Sequence, residues 1–467
     1  MEGYHVENFG CRASQADGDA LAAELGRSGG QAVAARDAAV VVLNTCAVTA
    51  EAERKARAYL RRVKRENPAA RVIVTGCYAQ RAPDEVAGLA GVNAVVGNSH
   101  KALLGQVIQR LEMAANGVGF VPLTQVGGGV PMLADDRFAH ANLAADDLTA
   151  SRDTRPNLKV QDGCGNRCSF CIIPTTRGSS RSVPPEIALQ QARGFVEADG
   201  KELVLSGINL GRWGRDFEKP SRFEDLVAAI LEKTELPRLR ISSVEPMDWS
   251  ADLLALYRQY GRENAAPSGP RLARHAHLPL QSGSDAILRA MHRRYRPWHY
   301  AEKLAAIREA MPDAAIGADV MVGFPGETDA LFEESFQFIK AQPFTYLHLF
   351  PFSARPTTAA WPLAKEKPVP SAAVRERMAR LRALMQEKDA AFRDRLIGKR
   401  LSMVTLTSDA KQRARGVTAA VSDNFLHIEV DGNFAANRML WGIVCHRKKG
   451  EKSGSATGWQ IIPMTEG

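Results

Sequence analysis

The sequence predicts an α/β protein in three parts: an N-terminal parallel α/β domain, a central domain of six βα units and a small C-terminal β-barrel. Three observations carry this. The chain has 467 residues, about three times the ~150-residue prior for one domain. Strand-like and helix-like patterns alternate over most of its length, and short β-branched runs separated by turns take over near its end. Hydrophobic residues at 45% and charged residues at 24% are ordinary globular usage, which excludes disorder or a collagen-like repeat as the main theme. There is no run of 18 apolar residues and no basic stretch followed by an apolar core over Met1 to Arg12, so a soluble, cytoplasmic protein with no membrane partner is expected. A formal net charge of +9 favours a polyanionic partner, nucleic acid included.

Within residues 1–125, Tyr4 to Phe9, Ala38 to Asn44 and Arg71 to Thr75 read as strands separated by helices. The second helix has Thr49 as its N-cap, an apolar row of Ala52, Ala56, Tyr59, Leu60 and Val63, and a stop at Asn67-Pro68. Its outer face is basic, with eight Lys or Arg against three Asp or Glu between Glu51 and Arg71. Residues 126–150, with Gly127 to Gly129 and an Ala/Asp-rich stretch, read as a linker. Six strand candidates follow in 151–396: Leu158 to Gln161, Glu202 to Ser206, Arg238 to Val244, His275 to Leu280, Ala318 to Val322 and Tyr346 to Phe350. Six units leave both an open barrel and a doubly wound sheet open. A charged helix, Ser371 to Ile397, leads into residues 397–465, where Leu401 to Ile462 read as the β-barrel. From residue 391 onward twelve Lys or Arg face seven Asp or Glu, so the tail is the basic end.

Seven cysteines are too few for a disulfide scaffold in a chain this long and read better as metal ligands or catalytic thiols. Cys164, Cys168 and Cys171 form CxxxCxxC directly after the first central strand. Three thiolates suit three irons of a 4Fe-4S cube, leaving the fourth for a non-protein ligand. A structural zinc site is the competing reading, but no nearby cysteine completes a tetrahedral set. Cys11, Cys46 and Cys77 lie 35 and 31 residues apart, each directly after a strand. One βαβ unit spans ~30 residues, so in a parallel sheet all three reach the carboxyl rim, where α/β sheets bind ligands. They suit a second three-cysteine cluster. Cys445, alone in the β-tail, reads as a buried structural thiol.

At this point the chain resembles the radical S-adenosylmethionine (SAM) methylthiotransferases over nearly its full length. CxxxCxxC is their radical-SAM signature, Cys11, Cys46 and Cys77 resemble their amino-terminal cluster set, and the basic tail resembles a TRAM RNA-binding barrel. NTCAVTAEAERKAR, VTGCYAQ, RLRISSVEP, HLPLQSGSDAILRAMHRRY and VGFPGET most resemble the MtaB-type enzymes. The resemblance implies an open (β/α)6 radical-SAM barrel, two 4Fe-4S clusters and SAM. It also implies methylthiolation of carbon 2 of N6-threonylcarbamoyladenosine at tRNA position 37. Cys164, Cys168 and Cys171 would hold the cluster that binds and reductively cleaves SAM. Cys11, Cys46 and Cys77 would hold the auxiliary cluster that carries the sulfur.

By motif match, the SAM pocket would use Ser206 and Gly207, Ser243 and Glu245, Gln281 and Ser282, and the turn from Gly323 to Glu327. The expected partners are the tRNA anticodon stem-loop and an electron donor such as a flavodoxin or ferredoxin system. RNA contacts are expected from the basic helix, from Met291 to Arg296 (MHRRYR) and from Arg447, Lys448 and Lys449. Related family members act on isopentenyladenosine at the same tRNA position or on a ribosomal-protein aspartate. The alternative from another class is a noncatalytic RNA-binding protein with structural zinc. The sequence departs from the family in Ser14, where an asparagine is usual, and in Thr175 and Thr176, where a tyrosine-containing stretch is common. The inserted stretch from Gly261 to Arg271 reads as a loop.

Overall fold

The computed structural model describes residues 3–115, 126–127, 130–138, 140–141, 148, 153–446 and 459–463. Val40–Thr45 and Arg71–Gly76 are apolar over most of their length and almost wholly buried, as strands covered on both faces must be. They are β2 and β3 of a sheet that starts with β1 (Tyr4–Asn8) and continues through β4 (Val92–Gly97). A hairpin of β5 (Val126–Gly127) and β6 (Val130–Leu133) closes it, β6 lying parallel to β4. Part of the stretch read as a linker is therefore the sheet's edge. Leu21, Leu25, Val107 and Ile108 cover one face, and Leu60, Val63, Tyr78 and Val86 the other.

The central domain holds β7 (Asn157–Asp162), β8 (Arg181–Ser182), β9 (Glu202–Gly207), β10 (Arg238–Ile241), β11 (His275–His277), β12 (Ala315–Val322) and β13 (Tyr346–Pro351). Apart from β8, which pairs antiparallel with β7, the strands are parallel and follow in chain order. β7, β9 and β10 form one run, and β11, β12 and β13 another. A parallel bridge from Leu239 to Leu272 and the Val244 N–H to His277 carbonyl bond (3.0 Å) join the two runs. Sequential order selects the open (β/α)6 barrel over a doubly wound sheet, whose strand order reverses. The helix Ser371–Asp394 packs on β13, and the amino-terminal domain's helix Arg12–Arg27 packs on β7, the other end of the barrel.

The last strands, β14 (Arg400–Thr405), β15 (Val417–Ser422), β16 (His427–Asp431), β17 (Met439–His446) and β18 (Trp459–Pro463), close a barrel in the order β14-β15-β16-β18-β17. It sits against the amino-terminal ends of the central strands. Arg238 donates to Ser402 Oγ (2.5 Å), and Arg240 to the Ser422 and Asp423 carbonyls (2.9 and 3.2 Å). Arg274 pairs with Asp423 (2.5 Å), and Lys399 with Asp313 (2.7 Å). The inserted stretch after Gly261 has a place here. Trp441 Nε1 donates to the Pro267 carbonyl (3.1 Å) and Ser402 Oγ to that of Ser268. Gly269 has φ +99°, and a Cβ there would meet Ser402 Cβ at 2.7 Å. Arg447, Lys448 and Lys449 lie outside the described residues.

Candidate active site

Each of β1, β2 and β3 is followed within three residues by a cysteine at the sheet's carboxyl rim. Cys11 is the N-cap of Arg12–Arg27, Cys46 follows β2, and Cys77 opens the helix Cys77–Arg81. The three are neighbours on this rim. A Cβ on Gly10 (φ +138°) would lie 3.0 Å from Cys46 Cβ and 3.4 Å from its Sγ, so the residue beside Cys11 must be small. Gly76 (φ +95°) would place a Cβ 2.3 Å from the Thr45 carbonyl; the absence of a side chain lets Cys77 close on β2. Burial, then the nearby Cys77 and Cys11, push the Cys46 thiol up to about 12. Val48 N–H faces Cys46 Sγ at 3.5 Å, and Asn98 Nδ2 faces Cys77 Sγ at 3.4 Å. At the departures from the family pattern, the Ser14 carbonyl accepts from Asn44 (2.6 Å), and that of Thr176 from Asn98 (2.9 Å).

A buried charge cluster connects this triad to the central domain. Asp17 pairs with Lys101 (3.0 Å), Lys159 and Arg177 (3.0 Å), while Asp162 pairs with Lys159 (3.0 Å) and Arg177 (2.9 Å). Two carboxylates face three buried cations, with the half-buried Arg181 4.0 Å from Asp162 at the edge. Burial opposes the Arg177 charge, but Asp162, Cys77, Asp17 and Cys11 hold its pKa well above the usual value. The cation that belongs to the CxxxCxxC side of the molecule thus faces the thiols of the other triad.

Cys164, Cys168 and Cys171 lie on the loop leaving β7, at the carboxyl rim of the central barrel. Asn166 N–H and Asn209 Nδ2 point at Cys164 Sγ (3.4 and 3.6 Å), and Arg293 Nη1 at Cys168 Sγ (3.3 Å). Burial pushes the Cys171 thiol up to about 12 and raises that of Cys168, the latter against the pull of Arg293. Arg293 also pairs with Glu245, which burial nonetheless raises above the usual carboxyl range. Ser206 and Gly207 end β9, and Ser243 and Glu245 follow β10. Gln281, at φ +67°, bridges to Val320 of β12. Ser206 Oγ and Gln281 Oε1 are buried without a hydrogen-bond partner, whereas Ser282 Oγ accepts from Ser284 N–H (3.2 Å). Glu327 accepts from Gly323 N–H (3.1 Å) and pairs with Arg377 (2.7 Å), so it is engaged in fixing that turn.

Both triads fit a cluster held by three thiolates. Nitrogen donors converge on the sulfurs, which suits ligated, anionic sulfur. In neither triad do the three sulfurs all lie within 4.8 Å of one another. Sulfurs on a tetrahedral zinc would be about 3.8 Å apart at the usual Zn–S length. Sequence reasoning missed Asn98, Lys159, Arg177 and the role of Arg293. That last residue belongs to MHRRYR, but the run alternates: Met291, Arg293 and Tyr295 are buried, and His292 and Arg294 are exposed. The basic helix, Ala50–Glu66, exposes Arg54, Lys55, Arg61, Arg62 and Arg65. Cys445 is half-buried in β17, opposite Gln460.

Residues 3–97 match the model of the uncharacterized protein family UPF0004, and residues 158–339 that of the radical SAM superfamily. The chain is 34% identical over 398 residues to the threonylcarbamoyladenosine tRNA methylthiotransferase MtaB of Bacillus subtilis, covering 84% of this chain and 82% of that protein. To MtaB of Aquifex aeolicus it is 34% identical over 430 residues, 91% of this chain and 96% of the other. To the tRNA-2-methylthio-N(6)-dimethylallyladenosine synthase of Salinispora arenicola it is 30% identical over 465 residues, 95% and 85% of the two chains. Among solved structures, the radical SAM methyltransferase TsrM of Kitasatospora setae, with cobalamin and a [4Fe-4S] cluster, superposes with a TM-score of 0.56. That match has 13% identity and covers 77% of this chain and 76% of that one, a likeness of fold alone.

Proposed function

The chain belongs to the radical SAM tRNA methylthiotransferases, and from that premise we propose that it adds a methylthio group to carbon 2 of N6-threonylcarbamoyladenosine at tRNA position 37. The observation that carries the reading is the pair of cysteine triads, one on the carboxyl rim of each α/β domain, with Arg177 of the second domain facing the thiols of the first. Two separately held clusters are what a reaction needs if it must both open a C–H bond and deliver sulfur to it. The bound clusters and SAM supply one-electron chemistry that acid–base side chains cannot.

The protein's own part is to hold and orient. Cys164, Cys168 and Cys171 bind one cluster, and Cys11, Cys46 and Cys77 the other. Ser206 Oγ and Gln281 Oε1 offer unused polar atoms to the polar groups of SAM. Glu245 keeps Arg293 directed at Cys168. The exposed arginines of Ala50–Glu66 and the closed C-terminal barrel receive the RNA, a flavodoxin or ferredoxin system supplies electrons, and the reaction takes place in the cytoplasm. Among the described residues no helix is long and apolar enough to cross a membrane.

Single replacements test the division of labour. Cys168→Ala is expected to abolish reductive SAM cleavage, and Cys46→Ala to retain cleavage but lose methylthiolation, both read by chromatography of SAM products and mass spectrometry of tRNA nucleosides. Equal loss of cleavage in the two variants would refute separate roles. The synthase relative makes dimethylallyladenosine the competing substrate. A strain lacking the protein that keeps 2-methylthio-threonylcarbamoyladenosine but loses the dimethylallyl derivative would select it.

A further inference from the structure

We propose that His277, Asp319 and His348 form a binding site for a divalent first-row transition-metal ion of zinc(II) type in the lumen of the central barrel, separate from both cysteine triads. The three come from adjacent parallel strands β11, β12 and β13. Register sets His277 opposite Gly317, and Asp319 opposite His348. On β12, Ala318, Val320 and Val322 pack into the main core of the domain, so the alternating positions Gly317 and Asp319 face the lumen. Gly317 leaves room there: a Cβ would meet the Tyr346 ring at 1.9 Å. That ring stacks on His277, with centroids 5.9 Å apart at 10°, and fixes its plane.

The donor geometry is that of a ligand set. His277 Nε2 lies 3.5 Å from Asp319 Oδ1, and His348 Nδ1 lies 3.3 Å from the same oxygen. All three ligand atoms lie within 4.8 Å of one another. Donors on a tetrahedral ion at about 2.0–2.1 Å are separated by about 3.4 Å, so the two pairs that share Asp319 Oδ1 already stand at ligand spacing. His277 is 7% exposed, and its buried Nε2 has only the long 3.5 Å contact with Asp319 Oδ1 and no well-formed hydrogen bond, a weakly satisfied polar atom of a kind that is uncommon in a protein interior. Two imidazoles and one carboxylate suit zinc(II) or iron(II) over magnesium or calcium, and three protein ligands leave positions open to water or an oxygen ligand. None of the cysteines takes part, and the site stands whether or not the substrate assignment holds.

The test uses the anaerobic enzyme with its clusters in place, so that the cysteines are engaged. The protein is exposed to zinc(II), desalted, and analysed for zinc and iron together. Wild type is expected to retain about one zinc per chain, with Asp319→Asn and His348→Ala losing it at unchanged iron. The affinity loss should exceed the about 10–100-fold that removal of an outer-shell partner costs. His348 has a side chain 63% exposed, so its replacement leaves the fold intact even if Asp319→Asn does not. Cobalt(II) should give visible ligand-field bands without a thiolate charge-transfer band. Failure of wild type to retain zinc, or equal retention in wild type and His348→Ala, would overturn the site and leave only polar contacts of two histidines with a carboxylate in its place.

Discussion

Asp162 and Glu202 are charged in the interior, and their neighbours explain why. Burial alone would raise both carboxyls. Arg177 and Lys159 overcome it at Asp162, and Arg240 and Arg155 at Glu202, leaving each at about 2, below the ordinary carboxyl range. A carboxyl depressed by folding adds stability that is complete above its unfolded pKa and is lost as pH falls toward its folded one. Denaturant midpoints should therefore be flat above about pH 5 in this respect and fall progressively from about pH 4.5 toward 2. Glu202→Gln should flatten part of that decline. An acid limb unchanged by the substitution would mean that Arg240 and Arg155 do not stabilise the charge as the geometry implies. The same contrast holds at the thiols. Cys46 and Cys171 are held neutral by burial, so proton release should accompany cluster loading.

Among the elements, Ala50–Glu66 is the one whose ends the sequence states most openly. Thr49 Oγ1 accepts from Ala52 N–H (3.2 Å), and Asn67 ends the helix, as the capping pattern predicts. Thr49→Ala should cost about 1 kcal/mol, read as a lower urea midpoint with an unchanged slope. The six central strands were legible because each is a short run rich in apolar residues between helical stretches, although β10 and β11 are shorter than the runs that predict them. Leu278 to Leu280 stay apolar past the end of β11, but Pro279 has no N–H to continue a ladder. β4 and β6 escaped notice: Val92–Gly97 is interrupted by Asn93, and Val130–Leu133 is four residues beside a glycine run. The cysteines were legible because their spacing repeats the βαβ unit. Asn98, Lys159 and Arg177 were not, because each acts on a partner 78 to 160 residues away in another domain, and no periodicity encodes such a pairing.

At the scale of the molecule, the basic helix and the barrel present cations on different domains, so RNA affinity should depend on salt through several separate contacts. Replacing Arg61 and Arg62 together by Gln should lower the slope of log affinity against log salt by about 2, measured by fluorescence anisotropy with an anticodon stem-loop. An unchanged slope would show that this helix face does not meet phosphate. The surplus cation between the first two domains has a further consequence. Asp17 and Asp162 leave one of Lys101, Lys159 and Arg177 unbalanced away from water, and the negative charge that metal ligation brings to the neighbouring sulfurs would offset it. With the proposed cluster ligands, iron delivery and the docking of the two halves should be one linked equilibrium, in which metal loading tightens the join and loss of iron to oxygen loosens it.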